Sequence, residues 1–516
     1  MAPQSFYVTT AIDYGTAPPH IGHAYEKIAA DAVARYHRMR GDRVFFLTGL
    51  DEHGNKIERA AQAAGLDPQA YVDRVAEQAK ESWQALNLSY DGFIRTTDPH
   101  HRETVQRIFQ RLVDQDDIYK AKYEGWYCKG CEEFKNERDL ADNKVCPEHQ
   151  QPVEWLSEEN YVLRVSKYRD RIRAHIQDHP GFLQPETRRN EILNLLETFP
   201  DISVSRQTVR WGIPVPNDPS QVIYVWVDAL SNYLTAMGYG WDQDNFKQWW
   251  PAQLQLVGKD ITKFHCIIWP ALLMALDLPL PQQVFGHGFV NFAGLKISKT
   301  IGNVIDPKTL AAEYGADAIR YYLLRAIPFG RDGDFTYDAF EGLVNADLAN
   351  NLGNALNRTL TILEKNFEGR VSPRFAEIEG GLPRMAAEVV EMVADRMAVL
   401  AIDEAIAAIW SLLDAVNKYI DATAPWSLAK NGETERLGGV LYAVLEALRI
   451  AAILASPFIP TLAGKIWEQL GITAPLSAQR WENLTWGGLA EGTVTRKLGP
   501  IYPRIGAELA GAKKKA

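Results

Sequence analysis

Three groups of residues in this chain could do chemistry. The first is His20-Ile-Gly-His23, two imidazoles three positions apart. That spacing puts both on one face of a helix's first turn. The turn carries backbone N–H groups with no intrahelical partner and the positive end of the helix dipole. Gly22 keeps a side chain out of a ligand's way. Together these make an anion site with two added donors, suited to a polyphosphate. The second group is Lys296-Ile-Ser298-Lys299-Thr300, which follows Gly294. Two lysines among small hydroxyls can grip β- and γ-phosphates. Taken singly, each motif also reads as ordinary surface: a pair of capping histidines and a solvated basic turn.

The third group is Cys128-Lys-Gly-Cys131 and Cys146-Pro-Glu-His149, separated by 14 residues. Four such ligands in two knuckles suit tetrahedral Zn²⁺. The set is closed, so the expected role is structural, stapling a polar segment. The remaining cysteine, Cys266, lies in an apolar stretch and reads as core.

The elements around these groups predict an α/β fold. Residues 6–12 are β-branched and aromatic and read as a buried strand, and residues 44–50 as a second. A helix is expected from His20 to about Arg40, stopped by Gly41, and another after Asp51-Glu-His-Gly54. This β-α-β-α order is the signature of a doubly wound parallel sheet, which binds ligands at the carboxyl ends of its strands. That context raises the histidine motif above a surface feature. Residues 115–150 are polar, mixed polar helices are expected to about Leu196, and strand patterns return at 222–227 and 254–257. Residues 115–215 thus read as an insertion splitting one Rossmann-type domain. Beyond 345, Ile402, Ile406, Ile409, Leu413, Val416 and Ile420 form one helical stripe, and Val389, Met392, Val393 and Leu400 show the same period. The final third is expected to be a helical bundle.

Composition narrows the class. The 516 residues give a prior of about three domains. With 55 Lys+Arg against 65 Asp+Glu the net charge is −10, which argues against coating nucleic acid non-specifically but leaves room for a local basic groove. No uninterrupted apolar run approaches the ~20 residues of a membrane span, the longest being 266–276. Asp13 and the two histidines interrupt any signal-peptide core, so a cytoplasmic protein without a membrane association is expected.

The two phosphate-binding motifs in this order resemble the HIGH and KMSKS signatures of class I aminoacyl-tRNA synthetases. Ile297 stands for Met and Thr300 for Ser, while both lysines remain. Several longer segments are similar to bacterial methionyl-tRNA synthetases in order and spacing: AIDYGTAPPHIGHAYEKIAAD, LTGLDEHGNKI, the zinc knuckles, WGIPVP, VIYVWVDALSNY, VGKDITKFHCIIWPALL and GHGFVNFAGLKISKTIGNVIDP. The resemblance implies that L-methionine is activated with Mg²⁺-ATP and passed to methionine tRNAs, initiator and elongator. It implies that His20, Gly22 and His23 stabilise the reacting α-phosphate, and that Lys296, Ser298 and Lys299 hold the departing pyrophosphate. Glu26, Gly258 and Asp260 would lie near the ribose, and His287, Gly288 and Val290 near the adenine. Ile12, Tyr14, Asp51, Trp226, Ala229, Leu230, Tyr233, Ile261 and His265 would form the methionine pocket. There Asp51 would bind the ammonium, Tyr233 and His265 would approach the sulfur, and Trp226 would wall the side chain. Asp13 departs from the proline or alanine of many relatives. In the bundle, Asn354, Arg358 and Trp426 would read the CAU anticodon, although by spacing alone each reads as core or solvated face.

The expected layout is 1–114 and 216–290 as the two halves of the catalytic domain and 115–215 as the zinc-bearing insertion. A KMSKS-loop and stem-contact region follows at 291–344, an anticodon-binding bundle at 345–510 and a basic tail at 511–516. About 100 inserted residues cannot hold the editing domain of the isoleucine, valine and leucine enzymes together with zinc knuckles. A cysteinyl enzyme would carry its zinc beside the active site. A nucleotidyltransferase without tRNA would have no use for the bundle, and a non-enzymatic tRNA-binding relative none for the intact histidines and lysines. With no further C-terminal barrel, a monomer is expected.

Overall fold

The computed structural model describes residues 4–129, 133–135, 137, 140–147, 151–297, 303–371 and 381–506. Its centre is a parallel sheet. The apolar segment SFYVTT forms β1 (Ser5–Thr10), and helix α1 (Ile21–Arg40) crosses to β2 (Arg43–Asp51). β3 (Gly92–Arg95) and the short pair Asp13–Tyr14 both hydrogen-bond to β2, and helix α2 (Pro99–Asp114) follows. After the segment 115–224 come α3 (Val225–Thr235), β4 (Leu254–Gly258) and β5 (Val284–His287). β1 pairs with β2 on one side (Val8 opposite Phe46) and with β4 on the other (Val8 opposite Leu254), all parallel. The chain therefore leaves β1 in both directions, which makes the gap between β1 and β4 the switch point of the sheet.

Helix α1 is buried almost all round: every residue from Ala24 to Ala34 is covered. Its alanines let it pack closely between the sheet and the C-terminal helices. It ends at Gly41, whose φ of +92° places it in the left-handed region.

Two regions differ from the sequence expectation. Where helices were expected after residue 150, Glu154–Leu163 is a strand, and it forms a long antiparallel pair with Ile118–Cys128. Exposed strand faces carry polar residues, so composition hid the period-2 pattern. Helices appear only afterwards, at Arg169–Asp178 and Glu186–Leu196, and between them Leu183–Gln184 joins the edge of the central sheet beside β5. The run 222–227 also divides. Asp218–Ile223 is a strand of a small antiparallel sheet, and α3 starts at Val225, so Trp226 and Val227 are helical.

The C-terminal third is helical, with α4 (Ala316–Ala326) leading to α5 (Gly353–Phe367), α6 (Leu382–Ala398), α7 (Ile402–Thr423) and α8 (Thr434–Ala455). The stripe from Ile402 to Ile420 is fully buried. On α6, Val389 and Val393 are buried with Met397, whereas Met392 is 38% exposed: it lies at the rim of the face that the i, i+4, i+8 row defines. α8 is long and apolar enough to cross a membrane by length and composition, yet it is the core helix of the bundle. Its two buried charges, Glu446 and Arg449, pair at 2.8 Å.

One buried ionic hub clamps the bundle onto α1. Asp31 and Arg320 are both fully buried and meet at 2.7 Å. Asp31 also accepts from Arg35 at 2.7 Å and from the Ser89 N–H at 2.6 Å. Arg320 donates to the Pro457 and Phe458 carbonyls, each at 2.9 Å. Asp31→Ala strands a buried guanidinium and should lower the unfolding free energy by about 3–5 kcal/mol in urea titration. Arg384→Ala, which removes an exposed helix pair with Glu388, should leave the midpoint unchanged.

Candidate active site

A cavity of about 480 Å³ opens at the carboxyl ends of β1 and β4. Its polar end is built by the start of α1. His20 is the N-cap, and its Nδ1 accepts from the Gly22 N–H at 3.1 Å. His23 Nδ1 accepts from the His20 N–H, also at 3.1 Å, closing a capping box. An imidazole nitrogen that accepts carries no proton, so each neutral ring holds its proton on Nε2. The two rings lie 3.9 Å apart on the cavity wall. A Cβ at Gly22 would meet the His20 ring at 2.9 Å, so only glycine leaves that cap undisturbed. Of the second motif, Ile297 is buried against the cavity and Leu295–Lys296 pairs in a short strand with Asn291 and Phe292. Ser298 and Lys299 lie outside the described residues.

The floor is a chain of buried charges. Lys27 contacts Asp13 at 2.5 Å, Glu26 at 3.0 Å and the Ala11 carbonyl at 2.9 Å, which uses all three of its protons. Burial disfavours its charge, but the two carboxylates outweigh this and raise its pKa. Glu26 also meets His287 Nε2 at 2.8 Å. Burial pushes the Glu26 carboxyl up, yet Lys27 and His287 together hold it down at about 2. Asp13, where many relatives have proline or alanine, thus forms an inward-facing ion pair on the floor. Gly258, Asp260, Gly288 and Val290 complete this side. A Cβ at Gly288 would sit 2.2 Å from the Arg331 carbonyl group, so the close approach of 331–332 requires glycine.

The other end is apolar. α3 contributes Trp226, Ala229, Leu230 and Tyr233, facing Ile12, Tyr14, Ile261 and His265, with Asp51 at the end of β2. Trp226 stacks on Phe264 with centroids 3.6 Å apart. His265 Nδ1 faces the Ile261 carbonyl at 3.0 Å, and burial pushes its pKa down to about 4. The neutral ring therefore keeps its proton on Nδ1, and Nε2 accepts from the Tyr233 hydroxyl at 2.8 Å. Every residue expected near ATP or methionine lines this one cavity.

Two further groups lie elsewhere. Cys128 and Cys146 are both buried and share one small cluster with Val153 at the tip of the antiparallel insertion. Among the described residues no group of three or more His, Cys, Asp or Glu side chains assembles that could hold a metal ion. Cys131 and His149 lie outside the described residues. In the bundle, the Arg358 guanidinium lies 5.3 Å over the Trp426 ring and contacts Asp421 at 2.8 Å. Asn354 is exposed one turn earlier on α5, and Trp426 is 47% exposed. At this exposure Trp426 is not an interhelical core residue, while Asn354 and Arg358 lie on the solvated face of α5.

The chain matches the family described as "tRNA synthetases class I (M)" over residues 6–154 and 141–360, and an anticodon-binding domain of tRNA ligases over 384–498. It is 50% identical to the methionine–tRNA ligase of Caldanaerobacter subterraneus subsp. tengcongensis, over 99% of this chain and 81% of that protein. It belongs to the class I methionine–tRNA ligase family. The corresponding enzyme of Thermotoga maritima is 45% identical over 98% of the chain. The solved Mycobacterium tuberculosis methionyl-tRNA synthetase in complex with methionyl-adenylate superposes with a TM-score of 0.93 at 42% identity, covering 97% of this chain and all of that one.

The structure adds a buried cluster to which the sequence analysis gave no role, although His53 and Asp228 lie inside segments quoted above for the family likeness. Asp228 lies between His53 and His101, neither of which stands out by local spacing. Only the position of His53 two residues after Asp51, and of Asp228 two after Trp226, could have drawn attention to them.

His265 has a pH consequence. Its folded pKa of about 4 lies below the ordinary 6.5, so between these values the unfolded chain binds more protons than the folded one. Stability should therefore fall as the pH drops from 6.5 to 4, by roughly 3 kcal/mol from this group. In His265→Gln that part of the acid slope should disappear from unfolding curves measured across the window.

Proposed function

We propose that the chain activates L-methionine with ATP and transfers the methionyl group to the 3′ end of methionine tRNAs, initiator and elongator. The observation that carries this reading is the continuity of one cavity, from two Nε2–H donors at a helix N-terminus to an aromatic pocket ending in a neutral Tyr233–His265 pair. A polyphosphate fits the first end and a flexible thioether the second.

In the first step a methionine carboxylate oxygen attacks the α-phosphorus of ATP. One P–O bond forms as the bond to the bridging oxygen breaks, and pyrophosphate leaves. No covalent group from the protein is needed; catalysis is positioning and charge stabilisation. Asp51 would hold the substrate ammonium, and His20 and His23 would donate to the α-phosphate oxygens. Glu26, kept ionised, would accept from a ribose hydroxyl with Gly258 and Asp260 beside it. His287, Gly288 and Val290 would border the adenine. Lys296, Ser298 and Lys299, with the Mg²⁺ that accompanies ATP, would offset the charge of the departing pyrophosphate. In the second step a hydroxyl of the terminal adenosine attacks the acyl carbon, and AMP leaves.

The same proposal assigns 1–114 and 216–290 to catalysis, 115–215 to the insertion, 291–344 to the loop and stem-contact region, and 345–510 to anticodon reading. Trp426 would stack on one base and Asn354 and Arg358 would bond base edges. One structural Zn²⁺ would sit on Cys128, Cys131, Cys146 and His149, holding the tip of the insertion. Action as a monomer in the cytoplasm belongs to the same proposal, the location being supported by the family's role in translation.

Charging assays should show methionine attached to a transcript bearing a CAU anticodon. Trp426→Ala should raise the KM for that transcript about tenfold or more, the loss expected for one base stack, with methionine activation unchanged. Equal charging of a transcript with another anticodon would contradict the bundle's assignment. Elemental analysis should find one zinc per chain, lost in Cys146→Ser; a wild-type protein without zinc would contradict the knuckle.

A further inference from the structure

The cavity's two amino-acid-facing walls come from different parts of the chain. Asp51 ends β2, while Trp226, Ala229, Leu230 and Tyr233 ride on α3. Neither wall is fixed to the other by the sheet ladder. Two buried ties hold α3 to this side of the sheet: the Tyr7 hydroxyl of β1 donates to the Tyr233 carbonyl at 3.0 Å, and Asp228, a fully buried carboxylate in the first turn of α3, reaches the Asp51 loop itself.

Each of its oxygens has one partner. Oδ2 meets His53 Nδ1 at 2.6 Å, and Oδ1 meets His101 Nε2 at 2.7 Å. An ionised carboxylate only accepts, so both rings donate to it. Burial alone would raise the Asp228 pKa, but the two histidines outweigh it and lower it. His53 lies two residues past Asp51, in the loop that leaves β2. That loop is tied down by Trp211, whose Nε1 donates to the Glu52 carbonyl at 2.6 Å. His101, on α2, uses its other nitrogen to meet Thr235 Oγ1 at 2.8 Å. α2 therefore grips α3 at both ends, and His53 ties the near end to the Asp51 loop. None of the three side chains lines the cavity.

We propose that Asp228 and His53 are positioning residues that set the separation between the carboxylate of Asp51 and the Tyr233 wall of α3, and so the length of the amino-acid pocket. This rests on the reading of that end of the cavity as the methionine site. Breaking the tie frees one wall to shift relative to the other. The ATP end, built on α1, β4 and β5, does not depend on it.

The test is steady-state pyrophosphate exchange with the full chain. His53→Leu, which removes the donor, should raise the KM for methionine about tenfold or more with the KM for ATP changed less than about twofold, because misplaced walls penalise only the ligand they touch. Discrimination between methionine and its ethyl thioether homologue should fall in the same variant. His53→Asn, whose amide can donate near the Nδ1 position, should recover most of the loss. A merely structural role would reduce the folded fraction and leave this split unmoved. Asp228→Asn should act in the same direction, and His53→Leu decides the matter if that variant does not fold. Tyr233→Phe is run in parallel. If it raises the KM for methionine and His53→Leu does not, the positioning proposal is overturned alone. If neither does, the methionine-site reading falls with it. Equal rises for methionine and ATP would also overturn the proposal.

Discussion

Everything in this structure is arranged around one helix end. The amino terminus of α1 sits at the switch point between β1 and β4, with its backbone donors and dipole directed into the cavity. His20 and His23 are what make that end specific. Each gives its Nδ1 to the backbone as a cap and so keeps its proton on the opposite nitrogen. The capping that starts the helix and the tautomer that a phosphate needs are the same hydrogen bonds. The helix cannot shift along its axis, because its middle is packed on every side and its Asp31 is locked to Arg320.

The surrounding charges follow from that choice. A site for an anionic nucleotide beside a deep apolar pocket places ionisable groups out of water, where an unpaired charge is costly. Each is answered by a near neighbour: Lys27 by Asp13 and Glu26, Glu26 also by His287, Asp31 by Arg320 and Arg35, and Asp228 by two histidines. The pocket for the substrate side chain uses the opposite device. Tyr233 and His265 satisfy each other while neutral, so a thioether meets no charge there.

What could be read in advance was whatever is local in the chain. The helix start at His20, the strands at 6–12 and 44–50, and the buried row from Ile402 to Ile420 all declare themselves through adjacent residues or a fixed period. Residues related across the fold do not. His53, His101 and Asp228 meet from three separate segments, and no spacing links them. The strands at 118–128 and 154–163 carry too many polar residues to display an apolar rhythm. Tyr224 and Val225 sit where an extended run turns into a helix whose first residues are as β-branched and aromatic as a strand. Met392 fits the helical period yet faces outward, because a period marks a face and not its centre. Family likeness supplied the pocket residues, whose individual spacings are those of ordinary helix packing.

The most direct test of the account is amino-acid-dependent exchange of pyrophosphate into ATP, run with each of the twenty amino acids in the absence of tRNA. The account predicts exchange with methionine alone, because a flexible, uncharged thioether matches the apolar pocket between Asp51 and the neutral Tyr233–His265 pair. Exchange driven equally by another amino acid would contradict the pocket while leaving the phosphate site standing. No exchange with any of them would contradict the role given to His20 and His23, and with it the central claim.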